Sequence, residues 1–113
     1  MLREHATVEG IIKAYAQAIN DQGIKVEKIL LFGSYARGDA SSESDIDLII
    51  VSPDFRRMPA PKRWKVLGKA AAKLMEPIEA LAYAPDELSL EKLSPASFLR
   101  QVLTQPETVE YHI

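Results

Sequence analysis

Two aspartates spaced by one residue, Asp45 and Asp47, follow a polar stretch that opens with Gly33-Ser34. In extended chain, residues two apart point to the same side, so Asp45 and Asp47 present their carboxylates together. Two bare carboxylates so close repel each other, and beside an apolar strand they are costly. A divalent cation removes that cost, and Mg²⁺ takes carboxylates together with the phosphates of a substrate. A glycine lets the backbone approach another group closely, and a serine offers a hydroxyl and an amide to a phosphate oxygen. The chemistry open to this set is metal-assisted handling of a phosphate group. Asp, Ser and Gly also end loops by bonding to nearby backbone, so the surrounding elements decide between the two roles.

Those elements can be placed from periodicity. From about Thr7 to Asp21, Val8, Ile11, Ile12, Tyr15 and Ile19 recur at the spacing of an amphipathic helix, with Thr7 as a cap and Gly23 just past the end. Val26 to Phe32 ends in a continuous apolar run and predicts a buried strand. Gly33 to Ser44 carries two glycines and four serines and predicts a polar loop, and Ile46 to Val51 predicts a second buried strand. Beyond Pro59 and Pro61, a helix is expected over Lys62 to Glu76, with Trp64, Leu67, Ala71, Leu74 and Met75 turned inward and Pro77 stopping it. Ile78 to Tyr83 predicts a third, short strand, and Asp86 to Lys92 a further helical stretch. Ser94-Pro95 is placed to start a helix through Phe98, Leu99, Val102 and Leu103. The last seven residues give no clear pattern.

This order predicts an α/β (α+β) domain, with a small mixed sheet of three strands or slightly more flanked by helices. The first two strands lack a full crossover helix between them and are expected antiparallel, while the second and third, bridged by a helix, are expected parallel. The end of strand one, the start of strand two and the start of strand three, where Glu79 lies, then meet at one edge.

The 113 residues, 47% hydrophobic and 27% charged, fit one small domain spanning residues 1–113. With no cysteine, a disulfide framework, a thiolate zinc site and cysteine nucleophilic chemistry are excluded. The two histidines, His5 and His112, stand near opposite ends and do not suit a histidine metal cluster. No apolar run approaches the roughly 20 residues of a membrane span, and the first residues lack the apolar stretch of a signal peptide. A cytoplasmic protein is therefore expected. The net charge of −2 argues against a purely electrostatic nucleic-acid binder. Arg56, Arg57, Lys62, Arg63, Lys65, Lys69 and Lys73 nevertheless form an acid-free stretch of seven positive charges, leaving −9 on the remainder. Lys65, Lys69 and Lys73 make one stripe, which suits either a solvated helix face or an acidic partner surface.

The stretch Leu31-Phe32-Gly33-Ser34-Tyr35-Ala36-Arg37-Gly38, followed by Ser44-Asp45-Ile46-Asp47-Leu48, resembles the signature of the DNA polymerase beta-like nucleotidyltransferase superfamily, and its minimal nucleotidyltransferase (MNT) branch in particular. The resemblance covers nearly the whole chain. It implies that Gly33 and Ser34 hold the triphosphate of an incoming nucleotide, ATP in the expected case. It implies that Asp45 and Asp47 bind Mg²⁺ and position that triphosphate, with a third carboxylate on the next strand. Arg37 and Ser44 fall within the matched motif and are expected at the nucleotide; Arg37 alternatively pairs with Asp39 or Glu43. Tyr35 is expected to pack the loop on the core. Minimal relatives act as antitoxins beside a HEPN-domain toxin, some by transferring AMP onto the partner. The resemblance therefore implies an enzyme moving AMP to a hydroxyl of a HEPN-type partner, or a binding module that neutralises the partner by occlusion. Transfer to a small molecule would need a pocket completed by a second copy of the chain or a partner. The expected length leaves no room for an acceptor-binding domain, which favours a protein acceptor.

The sequence departs from the family's pattern at the third carboxylate. The family has an aspartate there, whereas Pro77-Ile78-Glu79-Ala80-Leu81-Ala82-Tyr83 places Glu79 in that position. The extra methylene still permits metal ligation, but about 1 Å of misplacement can slow chemistry a hundredfold or so.

Overall fold

The structure, a computed structural model, describes residues 5–113, with side chains from Val8 onward. In chain order it contains α1 (His5–Asn20), β1 (Lys28–Phe32), the single turn α2 (Ser34–Arg37), β2 (Ile46–Val51), α3 (Ala60–Leu74), β3 (Ile78–Tyr83), α4 (Phe98–Thr104) and β4 (Val109–His112). The strands form one mixed sheet in the order β3-β2-β1-β4, in which β1 pairs antiparallel with both β2 and β4 and β2 pairs parallel with β3. The fold class and the two expected pairings are as the sequence predicts, with β4 added at the far edge.

The alternation of side chains along each strand divides the core in two. Ile29, Leu31, Ile46, Leu48 and Ile50 face α1 and α3, where they pack with Val8, Ile12, Tyr15, Ile19 and Leu67. Leu30, Phe32, Ile49 and Val51 face the other side, against Leu99 and Val102 of α4. The central strand β2 is buried from Leu48 to Val51 because both sheet faces are covered, which is why it reads as a continuous apolar run. The buried Tyr15 hydroxyl donates to the carbonyl of Leu67 at 3.0 Å, tying α1 to α3. Among the described residues, no helix is long and apolar enough to cross a membrane.

Several expected boundaries move. α1 already runs from His5, so Thr7 lies within the helix, and its capping hydroxyl falls outside the described side chains. β1 begins at Lys28; Val26 is buried but its N–H is taken by the Asn20 side chain at 3.1 Å, so no ladder forms there. The stretch after β3 makes two short 3₁₀ turns, Pro85–Leu88 and Leu90–Lys92, instead of one helix. α4 starts at Phe98, where the Ser97 hydroxyl accepts from the Arg100 N–H, and not at Ser94-Pro95.

Two of the five side chains expected to turn inward on α3 do not. Trp64 is 63% exposed and Met75 is 89% exposed, whereas Leu67 is buried and Ala71 and Leu74 pack partly against the core. Met75 closes α3 in the left-handed conformation, at φ 56°, and is the only described non-glycine residue with positive φ. That conformation costs an L-residue roughly 1–2 kcal/mol and a glycine little. Met75→Gly is therefore expected to stabilise the fold by about 1 kcal/mol, raising Tm in a thermal melt by about 4 to 8 °C. An unchanged or lower Tm would show that Met75 makes contacts that outweigh its backbone strain.

The basic stretch divides as well. Arg63 donates to the carbonyls of Met58 at 2.8 Å and Ala82 at 3.1 Å and pairs with Glu87 at 2.7 Å, fastening α3 to β3 and the turn after it. Arg56 pairs with Asp86 and Lys73 with Asp21 on the surface. Lys62, Lys65 and Lys69 are exposed and carry no ion pair among the described residues.

Candidate active site

The strand registers bring the chemistry-bearing residues to one edge. Asp47 lies opposite Phe32, the last residue of β1, and opposite Glu79 on β3. Directly paired residues point to the same sheet face, and adjacent strands run about 4.8 Å apart. Asp47 and Glu79 therefore stand side by side on the α4 face, where the apolar cover of α4 gives out. Gly33 follows immediately on the neighbouring strand.

Gly33 fits this place for a steric reason. Its backbone is at φ 74°, ψ −153°, a region essentially confined to glycine, and a Cβ there would collide with Asp47 Oδ2 and Cγ. The chain can thus run directly against the Asp47 carboxylate only because this residue has no side chain. From Gly33, the turn α2 folds back, with the N–H groups of Ala36 and Arg37 both donating to the Gly33 carbonyl. Tyr35 is buried in the core and anchors that turn, as expected from its position.

These residues line a cleft of about 640 Å³. The sheet edge and the turn after β1 supply Phe32, Gly33, Ser34, Arg37, Asp47, Glu79 and Leu81, and α4 with its C-cap supplies Phe98, Gln101, Val102 and Gln105. The Ser34 hydroxyl has no hydrogen-bond partner among the described residues and remains free to donate. Arg37 pairs with Asp39 at 3.3 Å, the alternative expected for it, and also lines the cleft.

Two expected site residues stand apart. Asp45 precedes β2, is exposed and does not line the cleft, although its charge reaches Asp47. Ser44 is turned into its own loop, where its hydroxyl accepts the Ser41 N–H at 2.9 Å. In the other direction, Phe98, Gln101 and Gln105 were not singled out by the sequence. They lie more than fifty residues from the aspartates and belong to no motif, and only the packing of α4 on the sheet brings them to the cleft.

The electrostatics single out Asp47. Its carboxyl is pushed up to about 6, first by burial and then by the charges of Glu79 and Asp45, with Arg37 acting in the opposite direction. The protein itself thus gives this carboxylate little compensation, and added positive charge is what the site lacks. Among the described residues, no three His, Cys, Asp or Glu side chains form a complete metal cage. That donor set fits Mg²⁺, which is held by one or two carboxylates with phosphate oxygens and waters completing its shell.

This mixed sheet, with a glycine-serine turn facing paired acids across one edge, is the architecture of a nucleotidyltransferase. The family model for the nucleotidyltransferase domain matches residues 12–108, and the chain belongs to that family. It is 50% identical over 44 residues to a protein of Methanocaldococcus jannaschii provisionally named a protein adenylyltransferase, covering 38% of this chain and 44% of that protein. It is 34% identical over 53 residues to the protein adenylyltransferase MntA of Thermococcus cleftensis, covering 47% of this chain and 50% of that protein. The chain thus spans about half the length of the curated relatives it matches. Among solved structures, a chain of a toxin–antitoxin assembly with AMP-PNP superposes with a TM-score of 0.53 at 25% identity, covering 84% of this chain and 67% of that one.

Proposed function

We propose that the protein is a Mg²⁺-dependent adenylyltransferase that moves AMP from ATP to a hydroxyl on a partner protein, a HEPN-type toxin. The observation that carries this reading is the abutment of Gly33 on the Asp47 carboxylate, in register with Glu79, at the head of a cleft large enough for a nucleotide. The adenylyl group and the protein acceptor are supported by the names of the two relatives, and the toxin partner by the toxin–antitoxin neighbour. The HEPN class rests on the sequence resemblance.

In this mechanism Ser34 donates its hydroxyl to a phosphate oxygen, and the bare backbone at Gly33 lets the triphosphate lie against the acids. Asp47 would hold the cation together with Glu79 beside it on the cleft wall, and Asp45, outside the cleft, would add its negative charge. When bound, such a cation would neutralise charge on the phosphate oxygens. Arg37 adds a positive charge on the same wall of the cleft. The acceptor oxygen forms a bond to the α-phosphorus, the bond to the β-phosphate oxygen breaks, and pyrophosphate leaves. The acceptor's proton passes to the Glu79 carboxylate, which is exposed at the cleft wall and open to an incoming hydroxyl.

Incubation with Mg²⁺, α-labelled ATP and a lysate of the source cells tests this. A labelled protein band is expected, absent with γ-labelled ATP and absent with the Asp45→Asn/Asp47→Asn double variant. A stable complex from the same lysate with no label from any nucleoside triphosphate would instead establish a binding module acting by occlusion.

Glu79 gives a graded prediction in the same assay. Glu79→Ala removes the carboxylate and is expected to slow transfer by about a hundredfold or more. Glu79→Asp keeps the charge on a shorter arm and is expected to retain transfer within about tenfold of the parent. Equal rates for Glu79→Ala and the parent would remove Glu79 from the mechanism.

A further inference from the structure

The cleft has two unlike walls. The charged groups lie at the sheet edge, in Arg37, Asp47 and Glu79, whereas the α4 wall presents Phe98, Gln101, Val102 and Gln105 without a single charge. Phe98 is 57% exposed, an unusual position for a phenylalanine that faces a cleft. Its ring is nevertheless held in place, meeting the Phe32 ring edge-on at 5.7 Å between centroids and 70° between planes. Phe32 immediately precedes Gly33, so this aromatic pair adjoins the glycine-serine turn directly.

Gln101 stands three residues after Phe98 and Gln105 four residues after Gln101, spacings that put all three on one side of a helix. Both glutamines line the cleft, and neither side-chain amide has a hydrogen-bond partner among the described residues. A carboxamide offers a donor and an acceptor side by side, the pattern that matches the edge of a nucleobase. An aromatic face beside free amides suits a flat, neutral, hydrogen-bonding ring and has nothing to hold a second anionic group.

We propose that the α4 wall is the nucleobase subsite of the cleft. Phe98 is the stacking surface for the base, and the Gln101 and Gln105 amides meet the base edge. This rests on reading the cleft as a nucleotide site and goes beyond it, since it divides the ligand between two walls: triphosphate at Gly33 and Ser34, base on α4.

That division supplies the test. Dissociation constants for ATP and for inorganic tripolyphosphate, each with Mg²⁺, are measured by calorimetry on the full chain. The proteins compared are the parent, Phe98→Ala, Phe98→Leu and Gln101→Ala/Gln105→Ala. Phe98→Leu keeps apolar packing on Phe32, so a retained melting transition separates lost stacking from lost folding. Base-aromatic stacking predicts that both Phe98 variants bind ATP about tenfold to a hundredfold more weakly. Their affinity for tripolyphosphate should stay within about twofold of the parent, since that ligand has no base. The double glutamine variant is expected to lose about three- to tenfold in ATP affinity and to discriminate less among the four nucleoside triphosphates. ATP affinity unchanged in both Phe98 variants would overturn the proposal, as would an equal loss for ATP and tripolyphosphate. A parent that binds neither ligand would overturn the nucleotide reading beneath it as well.

Discussion

Asp47→Asn is expected to slow adenylyl transfer by about a hundredfold or more while making the metal-free protein more heat-stable. The two effects have one cause. Asp47 is held next to Glu79 and within reach of the Asp45 charge, and burial adds to the cost of ionising it, so its carboxyl rises to about 6. A carboxyl whose folded value lies above its unfolded value of about 3.9 stabilises the fold fully at low pH, and that contribution is lost as pH rises through about 6. Above that point the metal-free protein carries an ionised group that its fold disfavours. Asparagine keeps the shape and cannot ionise. The Tm difference between Asp47→Asn and the parent, measured with a chelator present, should be near zero below about pH 4 and grow to several degrees, about 4 to 8 °C, at pH 7.5. Transfer by the same variant should fall by about a hundredfold or more, since a ligand to the cation is lost. A variant less stable than the parent at pH 7.5 would show that the Asp47 carboxylate is a structural group.

The second large effect is at Gly33. Alanine there meets a backbone region that only glycine occupies readily, at a cost of about 1–3 kcal/mol, and its methyl group runs into the Asp47 carboxylate. Together these predict a loss of about 2–4 kcal/mol, a Tm lower by about 10 °C or more, and transfer below detection. Gly38 is the matched control. It also has positive φ, at 84°, but nothing lies within 4 Å of where its Cβ would be, so Gly38→Ala should cost only the backbone strain, about 1 kcal/mol. The collision can be separated from the strain by a double-mutant cycle with Asp47→Ala. Part of the Gly33→Ala destabilisation should disappear in the double variant, because the carboxylate it strikes is gone. Strict additivity would mean that Gly33 and Asp47 do not touch in solution.

The parts of the fold legible in the sequence are those where burial is strongest. β2 begins and ends at the expected residues because a strand covered on both faces must be apolar along its length; the edge strand β3, half-exposed along most of its length, is bounded instead by Pro77 before it and Pro85 soon after it. β4 escapes notice because it is a four-residue edge strand in which only Val109 and Tyr111 turn inward, leaving Glu110 and His112 exposed. That alternation is a signal, but it is too short to stand out. On α3, helical spacing places Trp64 and Leu67 near one another, yet the core reaches only the Leu67 side and leaves Trp64 at the rim. The candidate site divides in the same way. Its sheet-edge half follows from strand order and pairing direction, which a sequence can reveal, and Asp47, Glu79 and Gly33 meet as expected. Its α4 half depends on how a seven-residue helix docks on the sheet, which no local pattern encodes.

The most direct test of the central claim is the stoichiometry of transfer with the purified partner. With unlabelled ATP and Mg²⁺, pyrophosphate release and the gain in mass of the partner are followed together. One AMP is expected on the partner for each pyrophosphate released, and neither product with Asp45→Asn/Asp47→Asn. Release of orthophosphate, or a bound partner that gains no mass while ATP stays intact, would contradict it.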